Sequence, residues 1–121
     1  QIEGGFVQGA GWLTSEELKW DDKGRLMTNS PATYKIPAIS DRPTKLTIEV
    51  LDKPNSAATI ARSKAVGEPP LMLGMSVWLA LRDAASSVAD YKVAPPMDTP
   101  ATPERVLNAV MFAQQHKGCA K

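Results

Sequence analysis

The sequence predicts an α+β fold, with about three helices flanking a small, mostly antiparallel sheet. Three observations carry that reading. Ile2, Phe6, Ala10 and Leu13 recur at near-helical spacing, which marks an amphipathic helix over residues 1–13. Lys45 to Leu51 alternates with period two, so Leu46, Ile48 and Val50 share one face of a strand. Leu71 to Leu81 is apolar on nearly every side and follows Pro69-Pro70, which suit the first turn of a helix.

The first helix also holds Gly4, Gly5, Gly9 and Gly11. Each costs a helix about 0.5–1 kcal/mol relative to alanine, so glycine at this density implies close approach by another backbone or a ligand. No Gly-x-Gly-x-x-Gly spacing is present, and no strand precedes the segment, so a dinucleotide fingerprint is excluded. Gln1 and Gln8 could donate amide hydrogen bonds to a ligand. Trp12 and Trp20 are expected in the core, because no basic groove accompanies them as a stacking platform. Asp21-Asp22-Lys23-Gly24 lies between two short runs and predicts a β-hairpin. Residues 29–44 contain Pro31, Pro37 and Pro43 and should form an extended loop.

After its buried start, the 71–90 helix gathers polar residues at Arg82, Asp83, Ser86, Ser87 and Asp90, and so runs out towards solvent. Lys92 to Thr102 is proline-rich and predicts a linker. Thr102-Pro103-Glu104 then supplies an N-cap, a proline at the first helical position and an acid in the first turn. The helix that follows is expected to bury Val106, Leu107, Val110 and Met111.

Composition narrows the function. The chain has 121 residues, the size of one domain and short for a complete cofactor-dependent enzyme. A formal net charge of +1, with no basic run among aromatics, argues against nucleic acid or an anionic membrane as partner. No apolar run approaches the roughly 20 residues of a membrane span. Cys119 is the single cysteine and His116 the single histidine, which excludes an internal disulfide, a zinc site or a Ser-His-Asp triad within the chain. One free thiol fits a reducing compartment, the cytoplasm. The start at Gln1, without a leader, suggests a fragment or a processed chain.

Glu68 is the most informative position. Pro69 disfavours the α region for it, so it should project from the loop ahead of a buried helix, with Gly67 leaving space beside it. The helix N-terminus would favour its charged form while apolar surroundings would disfavour it. Such a carboxylate could act as a general base. The residues alone favour the plainer reading, an acid interacting with a helix N-terminus, a contact of about 0.3–1 kcal/mol.

Three blocks resemble a known family. Gln1-Ile2-Glu3-Gly4-Gly5-Phe6-Val7-Gln8-Gly9, Thr33-Tyr34-Lys35-Ile36-Pro37-Ala38 and Ser63-Lys64-Ala65-Val66-Gly67-Glu68-Pro69-Pro70-Leu71 are similar to segments near the C-terminus of xanthine dehydrogenases. Thr99-Pro100-Ala101-Thr102-Pro103-Glu104 echoes a Ser-Pro-Ala-Thr-Pro-Glu motif of eukaryotic members. The resemblance implies that residues 1–121 are the C-terminal part of a molybdenum-cofactor-binding domain. Residues 1–94 would carry the helix, hairpin, strand, catalytic loop and buried helix, and 95–121 the linker and last helix.

It implies oxidation of hypoxanthine to xanthine and of xanthine to urate at a molybdenum–molybdopterin centre. Glu68 would be the base that deprotonates a hydroxide on molybdenum for attack on an electron-poor ring carbon, with hydride passing to a sulfido ligand. Gln1 and Gly67 would face the pterin cofactor. The 2Fe-2S, FAD and NAD sites, most pterin contacts and the substrate-clamping residues would lie on other domains or another subunit. The isolated chain is then expected to hold no cofactor, to be inactive and to self-associate through exposed apolar surface. Two other readings remain open: a molybdenum hydroxylase acting on an aldehyde or another N-heterocycle, and a purely structural or assembly segment.

Overall fold

The apolar stripe of the first segment folds as α1 (Ile2–Thr14) in the computed structural model, which describes residues 1–64 and 68–118. Three further helices follow: α2 (Glu68–Leu73), α3 (Met75–Ser87) and α4 (Pro103–His116). Short 3-10 turns at Ile39–Asp41 and Ile60–Arg62 punctuate the stretch between α1 and α2.

The architecture is therefore helical and corrects the α+β expectation: no strand is formed among the described residues. Residues 45–51 keep their alternating pattern but are irregular, with Val50 and Leu51 about three-quarters exposed. A strand is held by the ladder to its neighbour, and no described segment offers one. The expected hairpin is reduced to a turn with one isolated bridge between Trp20 and Leu26. Asp21 organises that turn. Its carboxylate accepts from the Lys23 and Arg25 backbone N–H groups at 2.9 and 2.8 Å and from Arg25 Nε at 2.7 Å. These bonds, the Arg25 backbone bond foremost, hold the Asp21 carboxyl below its ordinary range. Gly24 supplies the left-handed conformation at φ 76°.

Glycine sets how the helices meet. At Gly9, a Cβ would lie inside the Leu71 carbonyl group, 2.9 Å from its carbon. At Gly74, a Cβ would lie 2.6 Å from the Ala10 nitrogen. Gly74 has ordinary right-handed helical dihedrals, so the demand for glycine there is steric rather than conformational. Backbone thus meets backbone where α1 crosses the α2–α3 junction. Gly74 also divides the single helix expected from Leu71 onward into α2 and α3. That stretch is less buried than its composition suggests, since Met72, Leu73, Met75 and Leu79 are half-exposed or more.

A second contact joins α3 to α4 through small side chains. Ala85, Ala101 and Ala109 pack with Met97, and Trp78, Leu81, Val106 and Val110 close the cluster. The α4 start forms as expected, with the Thr102 hydroxyl accepting from the Arg105 N–H. Its buried stripe differs: Ala109 and Ala113 are fully buried, while Leu107 and Met111 stay about half exposed. Alanine allows closer helix approach, which turns the larger residues outward. The proline-rich 92–102 segment, expected as a linker, packs inward through fully buried Pro95 and buried Met97 and Ala101. Ala101 N–H donates to the Leu13 carbonyl at 2.6 Å, and Arg105 pairs with Glu17 at 3.2 Å. Trp12 and Trp20 are more than half exposed, correcting their assignment to the core. His116 is half-buried and stacked on Phe112, with ring centres 4.1 Å apart.

The backbone contact yields a stability prediction. Gly9→Ala should destabilise the chain by about 1–3 kcal/mol or more, because the added methyl meets backbone that cannot rotate aside. Gly4→Ala, whose Cβ meets nothing within 4 Å, should instead be neutral or stabilising by up to about 1 kcal/mol. Denaturant midpoints of the two variants check this, and equal midpoints would discard the steric account.

Candidate functional site

The α1–α2 contact brings two distant parts of the chain to one place. Gln1, Gly4, Gly5 and Gln8, together with Glu68 and Leu71 of α2, line a depression of ≈ 650 Å³. Residues 1, 4, 5 and 8 fall on one face of a helix by their spacing alone. Opposite them, Glu68 is exposed. It was expected ahead of the helix, but α2 begins at Glu68 itself. Pro69 and Pro70 then occupy first-turn positions where an N–H is dispensable, and the buried Pro70 anchors the turn.

Of the three site residues expected from the sequence, Gln1 and Glu68 therefore share this depression. Gly67 lies outside the described residues, as does Cys119. Gly4 and Gly5 contribute a floor without side chains, and Gln8 adds a second amide to that of Gln1. Sequence spacing could place Gln8 on the Gln1 face. It could not say which other helix that face would meet.

Gly4 and Gln8 also border a neighbouring depression of ≈ 470 Å³, walled by Trp12, Tyr34, Ile36 and Pro37. Here the Tyr34 hydroxyl donates to the Glu16 carboxylate at 2.5 Å. That hydrogen bond pushes the Tyr34 phenol above its ordinary pKa, with burial and the carboxylate charge adding to it. Glu16 is buried and packed against Gly11, and its pairing with the distant Tyr34 is announced by no local pattern. At the other end, Arg42 donates to Glu3 at 2.8 Å. The bond ties the loop after Pro37 to the start of α1 and lowers the Glu3 pKa.

Among the described residues, no group of His, Cys, Asp and Glu could hold a metal ion. Nor is any described helix long and apolar enough to cross a membrane. What the depression offers is hydrogen-bonding amides, a bare helical floor and one carboxylate. Such a surface can bind a flat polar group and exchange a proton with whatever lies beside Glu68.

Comparison with known proteins gives this surface a family. Residues 1–43, which include Gln1 and α1 with Gln8, match the molybdopterin cofactor-binding domain. The chain is 53% identical over 113 residues to a xanthine dehydrogenase/oxidase of Gallus gallus, and 46% identical over 116 residues to xanthine dehydrogenase 2 of Arabidopsis thaliana. It is 43% identical over 113 residues to aldehyde oxidase 2 of Macaca fascicularis. These matches cover 88–90% of the chain but only 8–9% of the relatives' length. The chain belongs to the xanthine dehydrogenase family of molybdenum hydroxylases.

The Tyr34–Glu16 bond makes a prediction about pH. A raised folded-state pKa contributes stability that is complete below the ordinary tyrosine value of about 10 and is lost as pH rises through the folded value. Tyrosinate absorbance should therefore show Tyr34 titrating late, and Glu16→Gln should bring its midpoint down towards 10. An unchanged midpoint in that variant would mean that the carboxylate is not the cause.

Proposed function

We propose that this chain supplies one wall of the molybdenum site of a xanthine dehydrogenase, with Glu68 as the general base in the oxidative hydroxylation of hypoxanthine and xanthine to urate. The carrying observation is that Gln1 and Glu68, near-opposite ends of the segment before α3, line the same depression.

The residues present fit a pterin cofactor. Two exposed glutamine amides each offer a donor and an acceptor, which suits the mixed donor–acceptor edge of a pterin ring. The glycine floor beside them leaves room for a flat ring against the helix backbone. When bound, the molybdenum cofactor supplies the two-electron oxidant. The part of this chain is narrower. Gln1 orients the pterin, and a Glu68 carboxylate oxygen takes the proton from the attacking oxygen nucleophile. A carboxylate open to the depression and held on a helix anchored by Pro70 can do this without backbone rearrangement. Electrons would leave through 2Fe-2S, FAD and NAD sites elsewhere in the enzyme.

The remaining apolar surface fits a segment of a larger body. Buried hydrophobic positions are mostly alanines, whereas Trp12, Met72, Leu73 and Leu79 are more than half exposed. The rest of the molybdenum domain would cover these residues, with the iron–sulfur and flavin modules beyond it. The intact enzyme would work in the cytoplasm, and the isolated chain would be inactive. The aldehyde oxidase relative favours a second reading, in which the same wall and base serve aldehyde oxidation. A substrate panel with the full enzyme separates the two, since turnover of aldehydes without purines would replace the purine assignment.

In the full enzyme, Glu68→Gln should lower kcat by about 10²–10⁴-fold, the scale of general-base loss, with molybdenum and pterin content unchanged. Near-normal turnover would remove Glu68 from the chemistry. For the isolated chain, light scattering should show concentration-dependent association through the uncovered apolar surface. A monodisperse monomer at high concentration would count against an interface there.

A further inference from the structure

We infer that Asn55 and Thr59 are positioning residues for Glu68: their side chains clamp the Ser63 carbonyl and so fix the chain that leads into α2 at that carboxylate. The inference rests on the base role proposed above and concerns what holds the base in place.

Glu68 is the first residue of a helix only six residues long. On its C-terminal side it is well held, because Leu71 meets Gly9 backbone to backbone and Pro70 is buried. On its N-terminal side the helix supplies no restraint, since the first N–H groups of a helix have no partner within it and helix ends fray. The aim of such a residue depends on where the chain ahead of it is fixed. Ser63 provides that fixed point. It stands five residues before Glu68, so the two anchors can be at most about 18 Å apart.

The clamp has several members. The Ser63 carbonyl accepts from Asn55 Nδ2 at 2.8 Å and from the Thr59 hydroxyl at 3.0 Å. Asn55 also donates to that hydroxyl at 3.3 Å, while its Oδ1 accepts from the Ala57 N–H at 3.0 Å. The Ser63 N–H donates to the Ile60 carbonyl at 3.0 Å, and the Lys64 ammonium donates to the Lys53 carbonyl. Both ends of the 53–64 loop are thus tied to each other.

The loop holds a conformation that local preference opposes. Ala61 and Arg62 are consecutive left-handed residues at φ 50° and 53°, a region costly for residues with a Cβ. Such dihedrals persist only where the surroundings impose them. Apolar burial does not impose them, because residues 56–64 are exposed and Ile60 is nine-tenths so. The polar clamp is what remains. A loop that served only as a connector would relax Ala61 and Arg62 to ordinary dihedrals. This one is locked, and its exit runs to Glu68.

The test uses the full enzyme carrying Asn55→Asp, Thr59→Val or Thr59→Ser, with kcat per bound molybdenum and KM measured for each. Asn55→Asp keeps the acceptor for Ala57 but loses the donor to Ser63, and Thr59→Ser keeps the hydroxyl that Thr59→Val removes. Expected is a fall in kcat of about tenfold or more in Asn55→Asp and Thr59→Val, the scale of misplacing a reacting group. KM should be unchanged, and Thr59→Ser should retain normal turnover. Combined with Glu68→Gln, Asn55→Asp should add less than about a further twofold loss, because the two act as one unit. Normal kcat per molybdenum in Asn55→Asp and Thr59→Val would overturn the inference, even if molybdenum content fell. So would a full additional loss in the double variant, which would place the effect elsewhere. Normal turnover in Glu68→Gln would dismiss the base role itself, whereas a large loss there with normal Asn55→Asp would keep the base and dismiss the clamp.

Discussion

The contact of α1 with the α2–α3 junction is the constraint on which the rest depends. Gly9 presses against the Leu71 carbonyl and Gly74 against the backbone of Gly9 and Ala10. No side chain separates the two backbones, so the distance between them is set by atoms that have no rotamers to adjust. Because the junction lies less than two turns beyond Glu68, its position also decides where that carboxylate stands relative to the Gln1–Gln8 face. A site assembled from two segments is only as well defined as the joint between them. Here the joint is backbone on backbone.

A second consequence concerns stability. Alanines dominate the fully enclosed hydrophobic positions, and alanine buries little apolar area. Several longer side chains, Met72, Leu73, Leu79 and Leu107 among them, point outward. Close helix approach and a large covered surface are compatible when another layer packs over the outward residues. The α1–α2–α3 joint and the α3–α4 alanine contact therefore leave apolar surface exposed. Arg105 pairs with Glu17 and Arg42 with Glu3, but these partly exposed ion pairs are minor terms beside the packing.

Much of the helical content was legible from the chain. The Thr102-Pro103-Glu104 start of α4 follows from capping chemistry acting on adjacent residues, and the glycines of α1 announced a close approach before any partner was visible. Local rules failed where the outcome hangs on a distant partner. Residues 45–51 have the alternation of a strand, but alternation describes a face and does not provide the neighbouring strand that would hold it. Proline density around 92–102 described a backbone that cannot be helical, and said nothing of whether Pro95 would be buried. Trp12 and Trp20 were expected in the core because no basic groove accompanied them, yet both are more than half exposed, and burial is decided by segments remote in sequence.

The site divides in the same way. Residue type and neighbour put Glu68 beside a helix start, in the loop ahead of it, whereas α2 begins at Glu68 itself; Gln1 and Gln8 were legible as amides that could meet a ligand, since these readings depend on atoms within a turn or two. Resemblance of the blocks around them carried the expectation of a molybdenum hydroxylase, and the match of residues 1–43 to a molybdopterin cofactor-binding domain supports it. Only the tertiary structure could decide that Glu68 and the glutamines border one depression, that Gly9 meets the Leu71 backbone while Gly4 meets nothing, and that no sheet forms among the described residues. Each of those outcomes is a distance between segments remote in sequence. Such distances come from helix packing, which no local pattern encodes.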